Sequence, residues 1–542
     1  MSHKRGETAD FVPGLMQDWP LTVDRFLDHA NRYHGHRRVV SRRDDGTTDS
    51  TSYAEIYRAA KRTSGALTAL GITKGSVVAT LAMNSAEHLT AWYGICGIGA
   101  ICHTLNPRLF REQLSYIVNH AQDRLIFADG AFAPLLADLL PSCPSVERII
   151  FLSSPSCTVP IPAVLFPELL AAQSDDVVWG DFDERCAAGL CYTSGTTGKP
   201  KGVVYSHRSN FIHALVTLQP DAFDISVRDV VLPAVPLYHA NAWAVAFSAP
   251  AVGAKMVMPG TRLDGRSLYE LIEQEAVTIA LGVPSVWLSL LEHVEKHDFR
   301  FTSLKRVIVG GAANSRRIVG AFAALGVEAI HSWGMTEMSP VGVIGTLTPE
   351  IAGLAQDQQM VWRLKQGRPP LSVELEIFDE NGTPLPHDGE AMGRLMVRGP
   401  AISSAYFRTD ASALDANGYF DTGDIATIDS LGFMKITDRA KDMIKSGGEW
   451  ISSQDVENAA LLHPSVALAA AIGAPHPHWG ERPILFVQAK PGAAVDGSAI
   501  RQFLANHLAK WCIPDEVREI DSMPLGPTGK VDKKLLRARY AA

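Results

Sequence analysis

The chain has 542 residues, 46% of them apolar and 20% charged, with a net charge of −8. That length exceeds one ordinary domain and suffices to bury sizeable cores, so two or more units are expected. An acidic balance argues against nucleic acid as the main partner, because such binding needs a basic surface, but it leaves room for local basic patches that hold phosphates.

The first residues, Met1 to Glu7, carry charges with no apolar core after them, so no secretory signal is expected. No apolar run reaches the roughly 20 residues of a membrane span. Leu89 to Leu105 instead fits a buried helix followed by a strand. From Thr22 onward, helical patterns (Phe26 to Tyr33, Tyr53 to Leu70, Ala86 to Gly97) alternate with short apolar strands (Arg38 to Ser41, Val77 to Ala82, Leu125 to Ala128, Arg148 to Leu152). That rhythm predicts parallel sheets covered by helices, with ligands at the strand carboxyl ends. Cys96, Cys102, Cys143, Cys157, Cys186, Cys191 and Cys512 form no C-x-x-C pair and read as reduced thiols of a cytoplasmic protein.

Ala188 to Tyr192 reads as a buried strand that enters the loop Thr193-Ser194-Gly195-Thr196-Thr197-Gly198-Lys199-Pro200-Lys201, and Gly202 to Tyr205 forms the next strand. Glycines let backbone approach an anion, hydroxyls and N–H groups donate to its oxygens, and lysines supply charge. The common G-x-x-x-x-G-K-[ST] pattern fails, because Pro200 follows Lys199. The alternative is a flexible hairpin turn. Val230 to Pro233 then leads to His239 and Trp243, where the histidine is either structural or, beside so large an aromatic, part of a pocket wall or gate. Arg306 to Val309 runs into Gly310, Gly311, Ala312 and Ala313, small residues that permit a flat ring to lie on backbone. His331-Ser332-Trp333-Gly334-Met335-Thr336-Glu337-Met338-Ser339-Pro340 adds an indole suited to stacking on a base, and oxygens suited to Mg²⁺ and phosphate.

Beyond these loops, Val373 to Phe378 and Gly393 to Arg398 look like antiparallel strands of a smaller β unit. Asp424 is a natural partner for two ribose hydroxyls. Asp438-Arg439-Ala440-Lys441-Asp442 is either a solvated turn or a hinge with nucleotide contacts. From Met443 a compact α+β unit of about a hundred residues remains. It holds Lys445-Ser446-Gly447-Gly448-Glu449-Trp450 and, near its end, Gly526-Pro527-Thr528-Gly529-Lys530.

In their order and spacing these blocks resemble the adenylate-forming enzymes over nearly the whole chain. Within that superfamily the chain is most similar to medium- and long-chain fatty-acyl-CoA synthetases and 3-(methylthio)propionyl-CoA ligases. Thr104-Leu105-Asn106-Pro107-Arg108-Leu109, His239-Ala240-Asn241-Ala242-Trp243 and Ile444-Lys445-Ser446-Gly447-Gly448-Glu449-Trp450 carry the likeness. It implies an α/β fold with a large N-terminal domain of β-α sheets plus a small β unit (1–437), a hinge (438–442) at Lys441, and a small mobile α+β C-terminal domain (443–542). It also implies ATP and CoA as co-substrates, a carboxylic acid, Mg²⁺ and a homodimer.

By the same resemblance Lys530 is catalytic for adenylation, residues Thr193 to Lys201 hold the β- and γ-phosphates, and Thr193 with Glu337 binds the metal. Ala312, Ala313, Trp333, Gly334 and Thr336 frame adenine and the α-phosphate, Asp424 with Arg439 holds ribose, and Lys445 reaches the nucleotide. Trp243 gates the acyl tunnel together with His239, Gly310 and Pro340, while Gly448 and Trp450 face CoA. The chain departs from its relatives at Ala401, where they tend to carry tryptophan after Arg-Gly-Pro. Adenylating enzymes that do not use CoA are the alternative of another class, and the Gly447-Gly448-Glu449-Trp450 block favours CoA over them.

Overall fold

Short, fully apolar runs become the inner strands of two sheets, and the longer amphipathic stretches between them become the covering helices. The computed structural model describes residues 14–193, 199–447, 449–525 and 531–540. The first sheet has seven strands, in the order Ala163–Leu165, Arg148–Phe151, Leu125–Ala128, Val77–Leu81, Ile101–Thr104, Ala187–Thr193 and Lys201–Ser206. The second has eight: Val341–Ile344, Glu328–Gly334, Arg306–Val309, Ile279–Gly282, Val230–Pro233, Lys255–Met258, Arg38–Arg42 and Thr48–Ser52.

Interior neighbours run parallel, as the β-α rhythm predicts. The edge strands Lys201–Ser206, Val341–Ile344 and Thr48–Ser52 do not: each pairs antiparallel with the strand just before it. Their connections are too short to hold a crossover helix, and a tight return is antiparallel by necessity.

One core joins the facing sides of both sheets. It takes Val78, Phe127 and Ile150 from the first sheet and Val39, Val231 and Ile308 from the second, with Phe26, Trp92, Tyr93 and Phe247 from the helices between them. Every residue of the helix Ala86–Gly97 except Glu87 is buried, which accounts for the apolar run there. Among the described residues no helix is long and apolar enough to cross a membrane.

Polar groups fix how the two sheets meet. The Asn84 side chain, just past the strand Val77–Leu81, donates to Pro233 O (2.8 Å) and Val235 O (2.9 Å) and accepts from Leu237 N (2.7 Å). A few residues on, buried His88 donates from Nδ1 to Met83 O (3.0 Å) and accepts at Nε2 from the Thr80 hydroxyl (2.9 Å).

A third sheet is antiparallel throughout, in the order Glu374–Phe378, Gly393–Arg398, Phe420–Ile428 and Met434–Arg439. The chain then enters the last sheet. There Gly480–Ala489 pairs with Val466–His476, Ile444–Ser446 and Glu516–Glu519, backed by the helices Ser453–Leu461 and Gly497–Leu504. The charged run 438–442 spans the end of the strand Met434–Arg439 and the turn toward the last sheet, and is only partly solvated. Buried Asp438 accepts from Ser453 N at 2.5 Å, and buried Asp442 pairs with Arg537 at 2.7 Å. None of the seven cysteines is in a disulfide.

Burial keeps His88 neutral down to about pH 4, whereas an unfolded histidine binds a proton near pH 6.5. The unfolded chain therefore takes up the extra proton, and this part of the stability is complete above pH 6.5 and lost as pH falls toward 4. We expect His88→Gln to destabilise the chain by about 1–3 kcal/mol at neutral pH through its lost hydrogen bonds. The difference in urea midpoint from the parent should shrink by pH 5. A difference independent of pH would show that His88 is not held neutral in the folded state.

Candidate active site

Loops leave the carboxyl ends of parallel strands in both sheets, where α/β folds place ligands. Thr193 ends its strand opposite Lys201 across the hairpin. Ser194, Gly195, Thr196, Thr197 and Gly198 lie outside the described residues. The two flanking lysines rest on aromatic rings: Lys199 over Tyr116 (5.2 Å) and Lys201 over Tyr406 (4.5 Å). The strand before the loop is anchored by a 2.6 Å hydrogen bond between Tyr192 Oη and His120 Nδ1.

Glu337 stands in a 3₁₀ turn, Thr336–Met338, and is only 7% exposed. Tyr406 donates its hydroxyl to Glu337 Oε1 at 3.0 Å, and Tyr205 donates to Thr336 O at 2.8 Å. Burial and the neighbouring carboxylate push the Tyr406 phenol up, so it stays a donor. The lysine-bearing hairpin, the tyrosine and the glutamate thus form one connected group. Tyr406 was not among the sequence candidates. It lies 69 residues from Glu337, and nothing local marks it.

Gly334 cannot be another residue, since a Cβ there would lie 1.7 Å from Pro340 O. Trp333 is half-buried and packs on the core that contains Val343 and Leu395. Ala312 and Ala313 are exposed just past the strand Arg306–Val309. The Trp243 ring lies against Gly310, where a Cβ would meet Trp243 Cη2 at 2.8 Å and Ser332 O at 2.9 Å. Leading to that contact, Ala240, Asn241, Ala242, Trp243 and Ala244 all have φ between 43° and 70°. A left-handed turn of non-glycine residues costs about 1–2 kcal/mol per residue. Here it turns the indole onto Gly310. His239, at the head of the turn, is exposed beside the Tyr238 ring (5.0 Å).

Buried Asp424 sits opposite Arg439 in the third sheet, with Arg439 Nε 2.8 Å from Asp424 Oδ1. Lys441 is exposed in the turn that follows. The Lys445 ammonium pairs with Glu380 and lies 5.4 Å over the Trp450 ring. Both residues line a cavity of about 330 Å³ with Arg394, Ile425, Ala440 and Met443. In this arrangement Lys445 is engaged by the third sheet. Gly448 and Lys530 lie outside the described residues.

Among the described residues no three or more His, Cys, Asp or Glu side chains cluster to hold a metal. The buried Glu337 carboxylate nevertheless has the chemistry that suits Mg²⁺, which is commonly held by one or two carboxylates while substrate phosphates and water complete its octahedron.

Two α/β sheets with loops at their strand ends are followed by a small antiparallel sheet and a last α+β unit. Residues 26–407 match the family model of AMP-binding enzymes, and residues 455–530 match that of the AMP-binding enzyme C-terminal domain. The chain belongs to this family, on its acid–CoA ligase branch. It is 43% identical to a medium-chain-fatty-acid–CoA ligase of Ectopseudomonas oleovorans, with 97% of each chain covered. To a 3-methylmercaptopropionyl-CoA ligase of Ruegeria lacuscaerulensis it is 44% identical, over 97% of this chain and 98% of the other. The fold is shared with an anthranilate CoA ligase solved with anthranoyl-AMP (TM-score 0.82, 22% identity, 96% and 98% covered).

Removing the Tyr406 hydroxyl leaves Glu337 without a buried donor. A hydrogen bond to a charged group contributes about 1.5–3 kcal/mol, so Tyr406→Phe is expected to lower kcat/KM for pyrophosphate release roughly tenfold to a hundredfold. An unchanged rate would mean that Glu337 is positioned without it.

Proposed function

We propose that this chain joins a medium- or long-chain fatty acid to CoA through an acyl-AMP intermediate. The observation that carries this reading is the 43% identity, over 97% of both chains, to a medium-chain-fatty-acid–CoA ligase. In the first step the acid's carboxylate oxygen attacks the α-phosphorus of ATP, the bond to the β-phosphate oxygen breaks, and pyrophosphate leaves. Two anions must approach, so charge has to be offset and the reactants held in line. Bound Mg²⁺ supplies part of that charge. Thr193, Lys199 and Lys201 hold the outer phosphates, and Lys530 brings its ammonium to the reacting carboxylate and α-phosphate. Asp424, kept in place by Arg439, takes the ribose hydroxyls.

In the second step the CoA thiolate attacks the acyl carbonyl and AMP departs with the bonding pair. A thiol of pKa about 8.5 is a few per cent ionised at neutral pH, sufficient against an activated carbonyl. Lys530 and the Gly448–Trp450 face lie on the same C-terminal unit, so a rotation about Lys441 would present them in turn. The exposure of Lys441 and the ion pair linking Lys445 to Glu380 support a seam that opens without breaking a core. The 44% identity to a 3-methylmercaptopropionyl-CoA ligase supports a second reading, the same chemistry on a short sulfur-containing acid.

CoA-dependent AMP formation across straight-chain acids, with 3-methylmercaptopropionate and cinnamate alongside, tests the substrate. A maximum at medium or long chains is expected, and turnover confined to a short or aryl acid would overturn that assignment. Lys530→Ala is expected to slow adenylation by a hundredfold to a thousandfold, on the order of 3–4 kcal/mol. Supplying synthetic acyl-AMP should bypass most of that loss, and full adenylation activity in the variant would remove Lys530 from the mechanism.

A further inference from the structure

The helix His207–Thr217 runs beneath the gate turn, and its buried face carries polar atoms that the protein does not satisfy. Asn210, His213 and Asn241 are 2%, 3% and 1% exposed. Asn241 Nδ2 donates to Asn210 Oδ1 at 3.0 Å, and His213 Nε2 accepts from Val341 N at 3.0 Å, just past Pro340. Because Nε2 accepts and burial holds the ring neutral, Nδ1 must carry the proton. Among the described residues His213 Nδ1, Asn210 Nδ2 and Asn241 Oδ1 have no hydrogen-bond partner. Reversing both amides changes nothing essential, since the pair still leaves one donor and one acceptor over.

These three groups lie next to residues that would line the acyl path. Asn241 falls within the left-handed turn that sets Trp243 on Gly310, and His213 is bonded to the residue after Pro340. Around them the wall is apolar, with Phe211, Ala242, Val341 and Ile344 in one core. Buried polar groups without partners are rare and call for an explanation. A plain hydrocarbon chain offers them none.

Building on the fatty-acid reading above, we propose that Asn210, His213 and Asn241 form a specificity site for a hydroxyl group on the acyl chain, so that the preferred acids are hydroxy fatty acids. A hydroxyl accepts from two donors and donates once, which is the complement of the free His213 N–H, the Asn210 amide N–H and the Asn241 carbonyl. A second carboxylate fits less well, because it would face the Asn241 oxygen with no cation beside it. Sites built to bond a substrate hydroxyl discriminate strongly against the analogue that lacks it.

The test is kcat/KM for AMP release by the full chain with decanoate and its hydroxy isomers, the hydroxyl placed at each carbon from the third to the chain end. At least one isomer is expected to exceed decanoate by about tenfold or more. Asn210→Leu should collapse that ratio toward unity, while Asn210→Gln should retain part of it. Because the criterion is a ratio within one preparation, loss of folded variant does not mimic the result. Should decanoate turn over with no isomer preferred, the three groups hold trapped water, and the inference is overturned while the ligase reading stands. A preference that survives Asn210→Leu also overturns it. If no acid releases AMP, the ligase reading and the inference fall together.

Discussion

Three hydrogen bonds from one buried amide set the geometry on which the candidate site depends. Asn84 leaves the first sheet and grips the main chain of the second at Pro233, Val235 and Leu237, the segment that continues into the left-handed turn at 240–244. A hydrophobic interface between two sheets resists sliding weakly, because its energy follows area rather than direction. Hydrogen bonds are directional and costly to leave unmade when buried. The amide therefore converts broad apolar packing into a defined register, and the loops at the ends of both sheets inherit it.

The same arrangement explains where the acidic groups lie. Glu337, Asp424, Asp438 and Asp442 are all nearly buried, yet each has a specific partner: a tyrosine hydroxyl, an arginine, a backbone N–H and a second arginine. Unpaired buried carboxylates would take up protons instead. Two of these pairings, Asp424 with Arg439 and Asp442 with Arg537, flank the exposed Lys441. Charge is thus concentrated along the passage from the third sheet to the last, beside Lys441, which remains solvated.

Much of this was legible in the sequence because it is local. Glycine and hydroxyl loops after apolar runs announce strand-end sites, and Ala86 to Gly97, Leu125 to Ala128 and Gly393 to Arg398 have the bounds their patterns predict. The antiparallel edges were missed because rhythm alone does not tell a crossover from a tight return. Tyr406 and Asn84 act across long sequence distances, and neither sits in a recognisable pattern. The run at 438–442 reads from its charges as either a solvated turn or a hinge, and neither reading shows that its two outer aspartates are turned inward by partners elsewhere in the chain. Five left-handed residues without a glycine between His239 and Val245 contradict local propensity outright, and only tertiary packing sustains them.

That turn and Gly334 place opposite limits on change. At Gly334 the neighbouring carbonyl admits no side chain, so that position has one solution. Along 240–244 the backbone is strained as it stands, and a glycine at any of these positions would relieve it. Mutational drift is therefore channelled: Gly334 is closed to any side chain, while the turn at 240–244 can shed strain through a single change to glycine.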